Sequence, residues 1–300
     1  MPFNVSVGIC AYNEEKNIGN LLDSLLLQET NNVMINQIIV VSSACADRTD
    51  EIVLDYQNNN PIIKLIRQPD RRGKASAINL FLKESSGDIC VLISADIIMV
   101  PGSMELLCSP YVNPEIGMTG GHPIPVNCPN RVMGYVSHLI WRMSHELSLE
   151  SPKLGECISF RNTIRGIPED TAVDEAVIEE VIRGQGYLLH YVPEALVYNM
   201  GPNTIKDYIN QRRRIHNGHL DLRRKTGYRV SSMSKRRLLK IGLKTIEFKW
   251  RSFFWTPIAF SLEVYARLLG NYDYYIKKKN PYMWSIVPST KILVTNDFKR

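Results

Sequence analysis

The sequence has little that would staple a fold by bonding or anchor it across a bilayer. Its six cysteines are Cys10, Cys45, Cys90, Cys108, Cys128 and Cys157, and no two of them have CxxC spacing. This removes the usual signature of a structural zinc site or a redox dithiol. Cys10 and Cys90 lie in apolar, strand-like runs, where a thiol behaves as a small hydrophobe, and the pattern points to a reducing cytoplasm. No uninterrupted apolar run reaches the roughly 18–20 residues that span a bilayer. The nearest candidate, residues 252–270, is broken by Pro257, Glu263 and Arg267. The first residues carry no basic stretch ahead of an apolar core and read as a strand rather than a signal peptide. Internal repeats, low-complexity tracts and long linkers are also missing.

What is present is the composition of an ordinary globular protein: 300 residues, 44% hydrophobic and 22% charged. That excludes a mainly disordered or collagenous chain. The formal net charge of +6 conceals a strong asymmetry. Residues 1–205 hold 14 Lys/Arg against 24 Asp/Glu, a net of −10; residues 206–251 hold 15 against 3, a net of +12; residues 252–300 hold 7 against 3, a net of +4. Such polarity predicts two chemistries on different surfaces.

Apolar runs at Val5–Cys10, Gln37–Val41, Ile62–Arg67 and Ile89–Ile93 read as strands. Between them, Glu15–Gln28, Asp47–Tyr56 and Lys74–Lys83 carry helical periodicity. Continuous apolar strands alternating with amphipathic helices predict a parallel sheet of βαβ units. Ligands of such sheets lie beyond the carboxyl ends of the strands, which directs attention to residues 11–14, 42–47, 68–74 and 94–96. Further on come a helix over Arg131–Glu150, a strand over Gly155–Phe160, a strand starting at Gly186-Tyr187 and a basic helix over Ile205–Lys225.

The residues after the strands are chemically suggestive. In Ala11-Tyr12-Asn13-Glu14, Tyr12 offers a stacking face, and Asn13 and Glu14 offer acceptors and donors to a ring edge. Asn13 is equally suited to cap the following helix, and Asp47 and Thr49 are expected to cap the next one. Gly73-Lys74, with Arg71 and Arg72 beside it, suits a diphosphate at a helix start, although the P-loop spacing is missing. A solvated basic turn is the competing reading there, and a simple turn cap is the competing reading for Asp96. Asp174 and Glu175 follow an acidic stretch that would also stabilise a helix N-terminus.

This ordered set resembles the motifs of the family 2 glycosyltransferases, nucleotide-sugar-dependent enzymes of the GT-A fold, over roughly residues 4–225. The resemblance implies an α/β fold. Residues 1–225 would form a Rossmann-like, mostly parallel mixed sheet flanked by helices, and residues 226–300 a basic, aromatic helical extension. It implies a donor site built from Ala11, Tyr12, Asn13, Glu14, Ser43, Lys74, Ser94, Gln211 and Arg214. Asp96 would be the ligand of Mg2+ or Mn2+, Gly155 and Glu156 would line the sugar or acceptor pocket, and Glu175, with Asp174 as fallback, would be the general base of an inverting transfer to a hydroxyl or phosphate. Gln211 and Arg214, three residues apart, share one helical face, so Arg212 and Arg213 are expected to point elsewhere. Several positions depart from the family pattern. Ser42-Ser43 and Ser94 stand where relatives carry aspartates, the Asp174-Glu175 pair is inverted, and Ile215 replaces a tryptophan. A catalytically degenerate nucleotide-sugar-binding protein, or a nucleotidyltransferase on a similar sheet, is the alternative. The latter would carry a glycine-rich loop where Ala11-Tyr12-Asn13-Glu14 stands.

The C-terminal region combines cations with Phe248, Trp250, Phe253, Phe254 and Trp255. Without a spanning run, this describes a helix lying on an anionic membrane surface. It suggests a lipid-linked or polyprenyl-phosphate acceptor and a peripheral position on the cytoplasmic face. A homo-oligomer contact is the competing reading. Trp284 and Ser289-Thr290-Lys291 are expected to form a tail packed back on the domain. No nucleic-acid motif accompanies the basic segment, and charge alone does not make a nucleic-acid site.

Overall fold

The computed structural model describes residues 2–247, 249–278 and 282; Phe248, Trp284, Ser289, Thr290 and Lys291 lie outside the described residues. The strands are β1 (Phe3–Ala11), β2 (Val33–Ser43), β3 (Ile63–Gln68), β4 (Ile89–Ser94), β5 (Ile97–Met99), β6 (Ile116–Pro125), β7 (Cys157–Arg161) and β8 (Leu188–Asn199). The helices are α1 (Ile18–Leu26), α2 (Thr49–Asn59), α3 (Lys74–Glu84), α4 (Ser103–Cys108), α5 (Val132–Glu150), α6 (Asp174–Gly184), α7 (Ile205–Thr226), α8 (Lys235–Thr245) and α9 (Trp250–Tyr275).

These strands form one eight-stranded sheet in the order β3-β2-β1-β4-β7-β6-β8-β5. The first four neighbours are parallel, as the βαβ reading predicts. Beyond β4 the sheet is mixed: β7 runs antiparallel to β4 and β6, β5 antiparallel to β8, and β6 parallel to β8. The buried strands are apolar throughout because both faces are covered. Ile38 and Val40 of β2 pack into the core on one face, Ile39 and Val41 into the core on the other. The same alternation sends Ile89, Val91 and Ile93 of β4 one way and Cys90 and Leu92 the other, as the period-2 geometry of a strand requires.

Helix α1 starts three residues later than the sequence pattern predicts, because residues 15–17 form a turn. All six cysteines are free. Among the described residues, no helix is long and apolar enough to cross a membrane.

The C-terminal helix α9 packs against α7 and α5, sharing a third apolar cluster with Met133, Val136, Leu139 and Tyr208. Ion pairs fasten it. Glu263 accepts from Arg212 Nε and Nη2 at 2.8 Å each, from Arg267 Nε at 2.7 Å and from the Tyr208 hydroxyl at 3.0 Å. Asp273 pairs with Arg213. Arg213 therefore points into α9 as expected, whereas Arg212, though paired with Glu263 of α9, also lines the cavity at the strand ends. A carboxylate bonded by four charged or polar donors keeps its charge, and the Glu263 carboxyl is held far below the ordinary range against the opposing effect of burial.

Candidate active site

Strands β1, β2 and β4 end side by side at Ala11, Ser43 and Ser94, and a cavity of about 1060 Å³ opens there. Topology explains what surrounds it. Because β7 is antiparallel to β4, its first residues meet the carboxyl end of β4: Ile93 pairs with Cys157, and the Ser94 N–H donates to the Glu156 carbonyl at 3.3 Å. Glu156 adopts φ 62°, a left-handed conformation that side chains rarely take. Asp96, just after β4, also lines the cavity. Burial, then the nearby charges of Asp96 and Glu175, push the Glu156 carboxyl up to about 7.

Two helix N-termini meet across the cavity. Gly73, at φ 93°, turns the chain into α3 in a conformation open to glycine at little cost. Lys74 is the first residue of α3, and Asp174 and Glu175 are the first two of α6. The Lys74 ammonium lies 2.8 Å from Asp174 Oδ2 and 2.6 Å from Glu175 Oε1. Burial works against the charge on Lys74, but the two carboxylates outweigh it and hold its pKa well above normal. Burial also acts to raise Glu175, yet Lys74 and the backbone amides keep it below the ordinary range. Asp174 goes the other way, raised by burial and by the charge of Glu175. The Asp174 side chain is 5% exposed and that of Glu175 26%, so Glu175 is the outer member of the pair.

Of the fourteen residues the sequence nominates, thirteen line this one cavity: Ala11, Tyr12, Glu14, Ser43, Lys74, Ser94, Asp96, Gly155, Glu156, Asp174, Glu175, Gln211 and Arg214. Asn13 does not. Its side-chain carbonyl accepts from the Ala46 N–H at 2.9 Å, and its own N–H reaches Cys45 Sγ at 3.3 Å, at φ 54°. Asn13 thus ties the loop after β1 to the loop after β2. Helix α1 begins beyond it with Asn17 at the cap position, so the helix-cap reading of Asn13 does not hold.

Its neighbours keep their places. Arg71 stacks its guanidinium 4.1 Å from the centre of the Tyr12 ring. The Ser43 hydroxyl donates to Gln68 Oε1 at 2.7 Å, and Gln68 in turn donates to Ser76 at 2.9 Å. Those bonds fix the Ser43 oxygen at the cavity wall. Asp47 accepts from the Thr49 N–H at 3.0 Å and the Glu15 N–H at 3.1 Å, but it stands one residue before Arg48, the cap position of α2, so it ties two loops together rather than capping the helix as expected. Thr49 does not cap; it is buried, and its hydroxyl accepts from the Glu14 N–H at 2.7 Å. Arg214 is largely buried, which lowers its pKa to about 10 against the opposing influence of Asp174, Glu175 and Glu156. Ile215 packs against the core.

The sequence reading misses residues that the fold brings in from other segments. His122 of β6 and His145 of α5 stack with ring centres 4.3 Å apart, and His145 Nδ1 lies 2.9 Å from the Tyr191 hydroxyl of β8. Lys153, Glu179 and Glu263 also line the cavity. Away from the sheet it runs between α5, α8 and α9, where Ile140, Leu147, Leu238, Phe260, Val264 and Leu268 make the wall apolar.

Among the described residues, no group of three or more His, Cys, Asp or Glu side chains forms a ready-made metal cage. A hard divalent cation that shares its coordination with phosphate oxygens and water needs few protein oxygens. Asp96 lines the cavity near Glu156, whose carboxyl its charge helps to raise, and could supply one such oxygen.

Comparison with known proteins agrees with this architecture. The chain is 24% identical over 224 residues to a poly-beta-1,6-N-acetyl-D-glucosamine synthase of Staphylococcus epidermidis, covering 69% of this chain and 52% of that protein. It therefore spans about half the length of that relative. Among solved structures, it is similar to a mannosyltransferase from Pyrobaculum calidifontis in complex with GDP-Man and Mn2+, with a TM-score of 0.67 at 19% identity, covering 93% of this chain and 89% of that one. A second is glucosyl-3-phosphoglycerate synthase from Mycobacterium tuberculosis in complex with Mn2+, UDP and glucosyl-3-phosphoglycerate, with a TM-score of 0.51 at 18% identity, covering 73% and 79%. These likenesses show the GT-A fold. The model of the family described as glycosyl transferase family 2 matches residues 6–166, from β1 to just beyond β7 and so more than half the chain, and the protein belongs to that family.

Proposed function

We propose that this chain transfers a glycosyl group from a nucleoside-diphosphate sugar to a hydroxyl or phosphate acceptor, with inversion and with Mg2+ or Mn2+ at Asp96. The observation that carries the reading is the Lys74 bridge to Asp174 and Glu175, beside Asp96 and Glu156, in one cavity at the strand ends. Tyr12, Glu14 and Ser43 hold the nucleoside, and Lys74 and Arg214 oppose the diphosphate charge. The divalent ion, when bound, offsets the negative charge on the diphosphate oxygens. Glu175 takes the proton of an acceptor hydroxyl as that oxygen bonds to the anomeric carbon and the bond to the diphosphate breaks on the opposite face. An ionised phosphate acceptor has no such proton to give, and Glu175 then serves to position it.

The arrival of a diphosphate gives Lys74 a second anion to bind, which loosens its hold on Glu175. Donor binding and release of the base are thus linked through one ammonium group. We place the acceptor at an anionic membrane surface on the cytoplasmic face, because Trp250, Phe253 and Phe254 of α9 are 73%, 78% and 59% exposed beside a strongly basic α8. The test is thermal stabilisation by a panel of nucleotide sugars with and without Mn2+. The donor reading predicts a metal-dependent shift for at least one of them, and no shift with any would overturn it.

A further inference from the structure

The cavity has a second cationic end, away from Lys74. Lys153, in the segment between α5 and β7, lines both the cavity and a small recess beside it. Arg212, His216, His219, Arg267 and Glu263 share that recess. Arg212 and Arg267 are offset by the one carboxylate of Glu263. Lys153 is not: among the described residues its ammonium has no ion-pair or hydrogen-bond partner, and the Ser148 hydroxyl goes to its backbone carbonyl at 3.0 Å.

The three carboxylates whose charge reaches Lys153 are Glu179, Glu175 and Glu263. Each is already held by another donor: Glu179 by Tyr228 with Arg183 3.9 Å away, Glu175 by Lys74, and Glu263 by Arg212 and Arg267. Burial, followed by the charge of Arg212, presses the Lys153 pKa down. A half-buried cation whose neighbouring carboxylates are engaged by other donors is only partly compensated, and an incoming anion adds to that compensation. There is room for one, since a Cβ built on Gly155, two residues further on, would have no atom within 4 Å. The apolar wall of Leu238, Leu239, Phe260 and Val264 continues from this end of the cavity.

We propose that Lys153 is the centre of an acceptor-phosphate subsite, separate from the donor diphosphate site at Lys74 and Arg214. The proposal rests on the glycosyltransferase reading and adds the chemical class of its acceptor, one bearing a phosphate ester. Two sources share that chemistry, a small phosphorylated metabolite and a phosphate headgroup on an aliphatic chain.

The experiment uses the full chain with Mn2+ and a saturating nucleoside diphosphate, so that the donor site is filled. Binding of inorganic phosphate and of a polyisoprenyl phosphate in detergent micelles is measured by calorimetry for the parent, Lys153→Met and Lys153→Arg. The expected result is a loss of tenfold or more in phosphate affinity in Lys153→Met, recovery to within about threefold in Lys153→Arg, and unchanged nucleotide affinity in both. Loss of a charge-assisted bond has that size. Polyisoprenyl phosphate binding far tighter than inorganic phosphate, with the same Lys153 dependence, assigns the subsite to a lipid headgroup; equal affinities assign it to a small phosphorylated acceptor. Phosphate binding that changes less than twofold in Lys153→Met, with nucleotide binding intact, overturns the subsite and leaves the donor reading standing. If nucleotide does not bind but phosphate still depends on Lys153, the donor reading falls and the anion site remains.

Discussion

The Lys74 ammonium sits 2.6 Å from Glu175 Oε1, although 101 residues separate the two in sequence. One ion pair therefore joins the start of α3 to the start of α6. Replacing Lys74 by Met leaves Asp174 and Glu175 side by side without a counter-charge. A loss of about 3–5 kcal/mol in folding stability is expected, the scale for breaking a largely buried pair from one side.

The pH dependence of that loss has a defined sign. The folded Glu175 pKa is depressed, so its contribution exists above the unfolded value of about 4.3 and disappears as pH falls through the folded pKa. The folded Lys74 pKa is raised, so its contribution exists below about 10.4 and disappears as pH rises through the folded pKa. The stability gap between the parent and Lys74→Met should be widest between about pH 5 and pH 10 and narrow at both ends. Urea titrations inside that window and on both sides of it check this, and a gap that stays the same on all three would contradict the pairing.

Glu175→Gln should reduce transfer to a hydroxyl acceptor by about 10²–10⁴-fold, the usual contribution of a positioned base. Asp174→Asn should cost less, since Asp174 is the inner member of the pair and its carboxyl is already pushed toward the neutral form. Initial rates at saturating donor make the comparison. Turnover of Glu175→Gln within a few-fold of the parent would show that another group takes the proton.

The places of the Ala11-Tyr12 segment, Lys74 and Asp96 at the cavity are legible in the sequence for a physical reason. Apolar strands announce themselves, and the polar residue after each one has a predictable place on the sheet edge. The second half of the site was much less legible. Strand β6 contains Gly117, Gly120, Gly121, Pro123 and Pro125, residues that strands ordinarily avoid, so His122 had no strand pattern to place it. Lys153 stands in an irregular segment with no periodicity at all. Asn13 misled because a polar residue ahead of a helical pattern looks the same whether it caps the helix or bridges two loops.

Glu263→Gln should destabilise the protein by about 3–5 kcal/mol, because it leaves Arg212 and Arg267 buried without their shared counter-charge. The folded Glu263 pKa is depressed, so its stabilisation is present above about pH 4.3 and lost as pH falls toward the folded value. Acid therefore erodes the parent more steeply than Glu263→Gln. Chemical denaturation at pH 7 and pH 3 should show the two proteins converging at the lower pH.

On vesicles containing phosphatidylserine, the parent should co-sediment, and Phe253→Glu with Phe254→Glu should not. Both rings are exposed on α9, and each basic residue near such a surface adds about 1 kcal/mol that high salt removes. Equal sedimentation of parent and variant at low salt would rule out this face as the contact.

The bonds between α7 and α9 also have a mechanical meaning. Arg212, Arg213 and Arg214 are consecutive, and the first two are clamped to α9 through Glu263 and Asp273 while the third reaches the carboxylates around Lys74. Helix α7 is thus fixed to α9 at the turn that also presents Arg214 to the cavity, so one helix sets the position of both.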